Sequence, residues 1–392
     1  MTEPRTIRWG ILATGGIALT STRDLLTDPT TRGVTNLRHT VVAAASSSSQ
    51  SKAESFLRTV NAPPSAKPYG SYADLIADPS VDIVYIATPH SHHYTNALLA
   101  LRGGKHVLCE KALTVNAAQA RHLVETARER GVLLMEAVWT RYFPLTAYVR
   151  EVIQSGRLGP VTRVLADCSV ATEPHTSFPD GAHRMVNPAL AGGALLDMGI
   201  YSLTWVFTAL WRAGTGQTPP RVVSAMAHYG PTGADEMCTV VVVFPRAQDA
   251  GGDAHGIATT SMRVDTDPGG RGSAPSVRIQ GPKGEVQVFP PTYRPTKTRV
   301  VLLDGTVEEK DWAQPGPGIG SKWFNGFGGP TNAEGEGHGM FWEADEAARC
   351  VIEGRKEGAL EGWDESVLIM EVMDEVRKQG GLVYPEEIER VE

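Results

Sequence analysis

The chain reads as an α/β protein in two parts: a parallel sheet built from βαβ units, then an α+β region with a large, mainly antiparallel open sheet. Three observations predict this. With 392 residues, 41% of them hydrophobic, the chain is too long for one ordinary core and suits two. Its first third alternates short apolar runs with helix-like stretches, as strands joined by crossover helices do. After about residue 138 the runs alternate apolar with polar residues between Gly- and Pro-rich turns, as expected of a sheet with one open face.

Taken in order, "TIRWGILA", "TVVAAAS", "VDIVYIATP", "KHVLCE" and "GVLLMEA" are the strands of the first part. The best-marked helix follows Asn116. Asn116 can cap it, Gln119 occupies the capping-box position, Ala120, Leu123, Val124 and Ala127 form its apolar stripe, and Gly131 stops it. In the second part the strands are "PVTRVLADCSV", "RVVSAMAHY", "EMCTVVVVF", "GIATTSMRV", "SVRIQG" and "GEVQVF", with helical stretches near 192–211 and 341–378. Segments 245–256, 265–276 and 313–340 are loops by composition, and the last is long enough to be a lid. There is no internal repeat.

The net charge of -7 includes no dense basic stretch, so the footprint for nucleic acid or an anionic membrane is missing and small-molecule ligands are expected. The opening "MTEPRTIRWG" has no apolar stretch of the signal-peptide kind, and no run approaches the ~20 apolar residues of a membrane span. The expected compartment is the cytoplasm. Cys109, Cys168, Cys238 and Cys350 are far apart with no CxxC pair, so neither zinc nor a disulfide framework is expected.

"WGILATGGIA" closes a strand and opens a helix, where a dinucleotide pyrophosphate meets free backbone N–H groups and the positive end of the helix dipole. Thr14, Gly15, Gly16 and Ile17 are its candidate cofactor contacts, with Gly15 at the closest approach. Against GxGxxG/A the first glycine is Ala13, and by itself the stretch reads equally as a plain tight turn. The next strand ends in Ser46 to Ser49, with Lys52 one turn on. Hydroxyls and a cation accept a 2'-phosphate that a carboxylate would repel, so Ser46, Ser47 and Lys52 favour NADP, with NAD also possible.

In "IATPHSHHYTNALLA" a strand closes at Thr88-Pro89 and a helix begins near His92. His90, His92 and His93 lack an accompanying carboxylate or cysteine at ligand spacing, so no metal is expected. They line the cofactor's ribose side or cap the helix. In "VLCEKALT", Glu110 and Lys111 end a parallel strand, whose carboxyl end opens onto the cofactor crevice. In "GGALLDMGIYSLTW", Asp197 and Tyr201 are four apart and share a helix face. A nearby ammonium such as that of Lys111 would stabilise a Tyr201 phenolate.

Together "RWGILATGGIA", "VYIATPHSHHYTNALLAL", "GKHVLCEKALTVNAAQA", "LMEAVWTRYFP", "HRMVNPALAGGALLDMGIY" and "DEVRKQGGLVYP" resemble the glucose-fructose oxidoreductase / inositol dehydrogenase / MocA-type oxidoreductases. Within that family they are most similar to the dimeric dihydrodiol dehydrogenases and NADP-dependent D-xylose 1-dehydrogenases. The resemblance implies an N-terminal Rossmann dinucleotide-binding domain at 1–138. It implies a substrate-binding and dimerisation α+β domain at 139–392, with a homodimer through the open sheet. It makes Lys111 the catalytic-site lysine, Tyr201 the acid/base and Asp197 its companion. Thr88, Pro89, His90, His93, Glu110 and Lys111 fall on the cofactor side, and Trp139, Arg141 and Arg184 on the substrate side. Three positions depart from the pattern: Ala112 replaces the usual proline, Ala13 a common glycine, and Ser47 an arginine frequent in NADP users.

The expectation is hydride transfer between nicotinamide and a carbinol carbon of a sugar or cyclic diol, most simply C1 of an aldose, with Tyr201 taking the hydroxyl proton while Lys111 lowers its pKa. Two alternatives share the fold: a dinucleotide-binding regulator without turnover, and a glycosidase that oxidises transiently with bound NAD.

Overall fold

The computed structural model describes residues 3–211, 216–270, 272–326 and 334–392. The first part alternates β1 (Arg5–Leu12), α1 (Gly16–Leu25), β2 (Leu37–Ala45), α2 (Gln50–Thr59), β3 (Lys67–Tyr69), α3 (Tyr72–Ala77), β4 (Ile83–Ile86), α4 (His93–Arg102), β5 (His106–Glu110), α5 (Ala117–Arg130) and β6 (Leu134–Ala137). Its six strands pair in parallel in the order β3-β2-β1-β4-β5-β6. The order reverses between β1 and β4, so a crevice opens there at the strands' carboxyl ends. All five expected strands are present, and β3 is an addition. Around α5, Asn116 accepts a hydrogen bond from the Gln119 N–H at 2.9 Å, and Gly131 ends the helix at φ 64°. The Gln119 side chain reaches Val115 N rather than Asn116 N, so the reciprocal half of the capping box is displaced by one residue.

The second part contains α6 (Pro144–Gln154), β7 (Arg163–Asp167), α7 (Pro174–Ser177), α8 (Ile200–Leu210), β8 (Arg221–His228), β9 (Asp235–Phe244), β10 (Ala254–Ser261), β11 (Val277–Gly281), β12 (Gly284–Val288), β13 (Lys297–Leu302), β14 (Val307–Asp311), α9 (Phe341–Glu353) and α10 (Trp363–Gly380). The eight-stranded order is β14-β13-β12-β11-β7-β10-β9-β8, antiparallel except for the β7–β10 pair. Register gives each face its character. Val242, Gly256, Val164, Ile279, Val286 and Val300 align across six strands and are buried, forming the face on which α8 lies. The adjacent row, Val223, Val241, Ile257, Leu165, Arg278, Gln287 and Arg299, lies on the opposite, open face, because successive side chains alternate.

Every residue of α8 is buried. The stretch Pro188–Leu210 is long and apolar enough to cross a membrane by length and composition, contrary to the expectation that no such run exists. Its apolar window is 89% buried inside the protein, where it forms the core between sheet and crevice; each large apolar side chain so buried contributes roughly 1.5–3 kcal/mol. The stretch expected as one helix at 341–378 is two, because Gly354 turns left-handed at φ 74° and caps α9. Helix α9 places Ala344, Ala347, Ala348 and Cys350 in one core with Trp9, Ile11 and Tyr85 of the parallel sheet. A buried ion pair reinforces that docking: Arg32 donates to both carboxylate oxygens of Asp345 at 2.8 Å. His39 Nε2 completes the set at 2.9 Å, its Nδ1 accepting from Trp9 Nε1.

Candidate active site

The cofactor turn is built by what it lacks. Gly15 caps α1 with no side-chain hydrogen bond, and a Cβ placed on Gly15 or Gly16 would meet nothing within 4 Å. The amides at the start of this ten-residue helix therefore face open space, as a pyrophosphate requires. Ala13 adopts φ 85°, the left-handed conformation that glycine takes freely and alanine at a cost of about 1 kcal/mol. Thr14, Gly15, Gly16 and Lys52 line a groove of about 360 Å³ on this side. Ser46 and Ser47 follow β2, the first buried and the second exposed; Ser46 Oγ lies 3.2 Å from Ser48 Oγ, and Ser49 caps α2.

Gly15 and Gly16 also form one wall of the main cleft, a cavity of about 550 Å³. Ile17, Thr88, Pro89, His90, His93, Glu110, Lys111, Trp139, Arg184, Asp197 and Tyr201 all line it, as do Tyr293, Thr172, Val170, Met185 and Met198. Both strand-end loops of the parallel sheet and the first turns leading into α8 thus meet in one space. His93 ties the loops together, with Nδ1 2.8 Å from Ala112 O and Nε2 2.8 Å from Thr88 O. Burial pushes its pKa down to about 4, and a neutral ring has one N–H, so it donates to one of these carbonyls at a time. His92 turns away to Ser91. The Lys111-Ala112 peptide bond is cis. Among the described residues no cluster of metal-ligating side chains is found.

Lys111 donates to the Asp197 backbone carbonyl at 2.7 Å and to its carboxylate at 3.1 Å. Arg184 reaches the same carboxylate oxygen at 3.2 Å. Despite burial, the adjacent Lys111 and Arg184 charges hold Asp197 well below the usual carboxylate range. Asp197 sits in a π-helical turn, Leu195–Gly199, that leads directly into α8. The small residues before it are required by space: a Cβ on Gly193, at φ 149°, would fall 1.8 Å from Asp235 Oδ1. Asp235 in turn accepts from Leu195 N at 2.6 Å and anchors the turn. Lys111 Nζ is 5.1 Å from the Tyr201 ring centroid, and Trp139, whose indole donates to Tyr293 O at 2.6 Å, packs 5.7 Å from the same ring.

Two expectations are corrected. The Tyr201 phenol is pushed well above its ordinary pKa, by burial first and by the Glu110 charge next, whereas Lys111 was expected to lower it. Lys111's ammonium is committed to Asp197. Arg141 does not line the cleft: it is fully buried and pairs with Glu365 at 2.5 Å and Glu361 at 3.6 Å. Its short 3-10 segment, Trp139–Tyr142, turns about 120° per residue, so residues two apart point to different sides. The 313–340 segment places none of its described residues in the cleft. It is fastened to α1, where Asp24 accepts from His338, Gly339 and Met340 N–H groups and from Asn325. Trp323 is half-buried and Phe324 exposed; Phe327 lies outside the described residues. Tyr293 was missed, as a lone tyrosine in a Pro-rich turn carries no periodicity.

A dinucleotide turn sharing a cleft with a lysine, a carboxylate and a tyrosine defines a nicotinamide-dependent oxidoreductase. Residues 7–138 match the oxidoreductase family with an NAD-binding Rossmann fold, and residues 146–287 match the GFO/IDH/MocA C-terminal domain. The chain belongs to the GFO/IDH/MocA oxidoreductase family. It is 51% identical over 390 residues to a D-xylose 1-dehydrogenase (NADP+) of Hypocrea jecorina, covering 98% of this chain and 94% of that one. To a trans-1,2-dihydrobenzene-1,2-diol dehydrogenase of Bos taurus it is 34% identical, over 97% and 99% of the two chains. In fold it is similar to an aldose-aldose oxidoreductase of Caulobacter crescentus solved with glycerol, with a TM-score of 0.72 at 23% identity over 96% and 98% of the chains.

Proposed function

We propose that this protein is an NADP-dependent dehydrogenase that transfers a hydride between the nicotinamide and a carbinol carbon of a sugar or cyclic diol, with an aldose such as D-xylose as the leading substrate. The observation that carries the reading is the single cleft in which the open turn at Gly15 and Gly16 meets Lys111, Asp197 and Tyr201. The xylose and dihydrodiol dehydrogenase relatives support the substrate class. NADP supplies the hydride acceptor when bound. The amides of α1 would hold its pyrophosphate, Ser46, Ser47 and Lys52 would serve its 2'-phosphate, and Thr88, Pro89 and His90 would bound its nicotinamide half. Asp197, held by Lys111 and Arg184, accepts a hydrogen bond from a substrate hydroxyl and so orients it. Trp139 and Tyr293 offer apolar faces to the C–H side of a sugar ring. Tyr201 exchanges the hydroxyl proton.

The reading includes a homodimer through the open sheet face, supported by Val223 at 63% and Met237 at 39% exposure, and a cytoplasmic setting. Screening aldoses and trans-dihydrodiols with NADP and NAD, following absorbance of the reduced cofactor, tests the activity. Reduction of NADP by an aldose is expected. No net reduction with any substrate, together with cofactor that co-purifies, would point to the glycosidase chemistry and reject the dehydrogenase.

A further inference from the structure

Oxidation of a carbinol releases a proton, and Tyr201 is not its final holder. The phenol keeps its own proton well above the neutral range, so it accepts the substrate's proton only by passing its own onward. Several groups face it or its neighbours. Asp197 is held by Lys111 and Arg184 and kept strongly acidic. Burial holds His90 well below its ordinary pKa and His93 near about 4. Glu136, on β6, accepts from Leu113 N and does not line the cleft. These are poor acceptors or wrongly placed.

Glu110 differs. It ends β5, lines the cleft, is 4% exposed and carries the charge that acts most strongly on Tyr201. Beneath it, Tyr85 of β4 donates a hydrogen bond to its Oε1. Behind that stands Glu343 of α9, fully buried, with neither oxygen hydrogen-bonded among the described residues; burial and the Glu110 and Asp24 charges push Glu343 well up, which keeps it protonated. Glu110 itself, raised by burial against the opposing Lys111 charge and Tyr85 hydrogen bond, stands at about 7. Burial pushes Glu136 up to about 7 as well, but of the two only Glu110 lines the cleft that holds Tyr201.

Resting on the dehydrogenase reading, we infer that Glu110 is a positioning residue for the proton: it receives Tyr201's proton as Tyr201 takes that of the substrate hydroxyl, and Tyr85 holds it for this task. In the balanced step the substrate C–H bond breaks with its electron pair going to the nicotinamide and its O–H bond breaks with the proton going to Tyr201. The Tyr201 O–H proton passes to the Glu110 carboxylate, directly or through a water. A carbonyl and a protonated Glu110 result, and Glu110 then returns the proton to solvent. Glu110 must start ionised for oxidation, so kcat rises with pH through its titration and levels off above it.

The test uses the full chain and two readouts: the pH profile of kcat for aldose oxidation, and infrared difference titration of carboxyl groups in the cofactor-free protein. Wild type is expected to lose about tenfold in kcat per pH unit below neutrality. Glu110→Gln should lose that acid limb and fall about 10- to 100-fold below the wild-type plateau. Glu110→Asp should keep the limb, and Tyr85→Phe should move it to higher pH because the carboxylate loses a donor. Carboxyl absorbance titrating near neutrality in wild type should fall in Glu110→Gln by one group's share, the remainder belonging to Glu136. An acid limb that persists in Glu110→Gln, or neutral-range carboxyl absorbance left undiminished by that substitution, overturns the inference. Absence of any wild-type aldose or diol oxidation sinks the activity reading instead, while the infrared titration, with the Tyr85→Phe shift in it, still reports on Glu110. Should Glu110→Gln not fold, Glu110→Asp decides through the same two readouts, since a limb lost in the presence of a carboxyl also overturns it.

Discussion

Replacing Lys111 with methionine removes the ammonium while keeping most of the side-chain volume. Its amine makes two hydrogen bonds to Asp197, at 2.7 and 3.1 Å, and both side chains are nearly closed to solvent, 10% and 15% exposed. At an effective dielectric of about 20, charges roughly 3 Å apart attract by about 5 kcal/mol before desolvation, and each charge-assisted hydrogen bond nets roughly 1.5–3 kcal/mol. Arg184 remains on the same oxygen, but its side chain is 54% exposed and solvent screens it. About 3 kcal/mol of the interaction that orients Asp197 should then be lost from the reacting geometry, equivalent to about 10²-fold in kcat. Cofactor affinity should survive, because the α1 amides and the Gly15-Gly16 turn are untouched. Steady-state kinetics on the preferred aldose, with cofactor Kd from nucleotide fluorescence, make the measurement. A kcat within about fivefold of wild type would refute the assignment of Lys111; Tyr201→Phe should lose at least as much turnover, and if both variants kept near-normal turnover the site itself would be misassigned.

Other substitutions separate site from scaffold. Arg141→Met leaves Glu361 and Glu365 buried without their cation, so urea denaturation should show a loss of about 3–5 kcal/mol with substrate KM unchanged; a raised KM at full stability would restore Arg141 to the substrate side. Gly15→Val puts its side chain into open space, so stability should hold within about 0.5 kcal/mol while cofactor Kd weakens at least about tenfold. Asp345→Asn leaves Arg32 buried without its counter-ion, at a cost of about 3 kcal/mol near neutrality. The Arg32 and His39 hydrogen bonds lower Asp345's pKa against its burial. Its stabilisation is therefore complete above the ordinary aspartate value of about 3.9 and fades as pH falls through the lowered one. The gap between wild type and Asp345→Asn should stay constant from pH 5 to 8 and narrow in acid, as urea midpoints at pH 7 and 3 would reveal.

What was legible in the chain follows from which signals are local. Runs such as "VDIVYIATP" declare a strand buried on both faces, and Asn116 and Gly131 mark α5 because caps act within a few residues. Strand β14 left no such mark: all of Val307–Asp311 is exposed, so nothing imposes alternation on it. Placing Lys111 needed one step more, the rule that parallel strands open onto a crevice at their carboxyl ends, and that step holds. Direction failed where it depends on rotation about a short segment. Trp139 and Arg141 are two residues apart, yet only Trp139 lines the cleft.

The sign of the field at Tyr201 lay further beyond the sequence. The sequence offered Lys111 as the ammonium near Tyr201, and the structure brings the two together at 5.1 Å. A pKa answers to the sum of burial and every nearby charge, however, and Asp197 occupies the ammonium while Glu110 opposes it. A Lys–Tyr pair taken by itself suggests a tyrosine ready to act as a base. With Asp197 and Glu110 in place the tyrosine becomes a conduit, and the acid-base question moves one residue upstream of the lysine, to the glutamate of the same Glu-Lys pair.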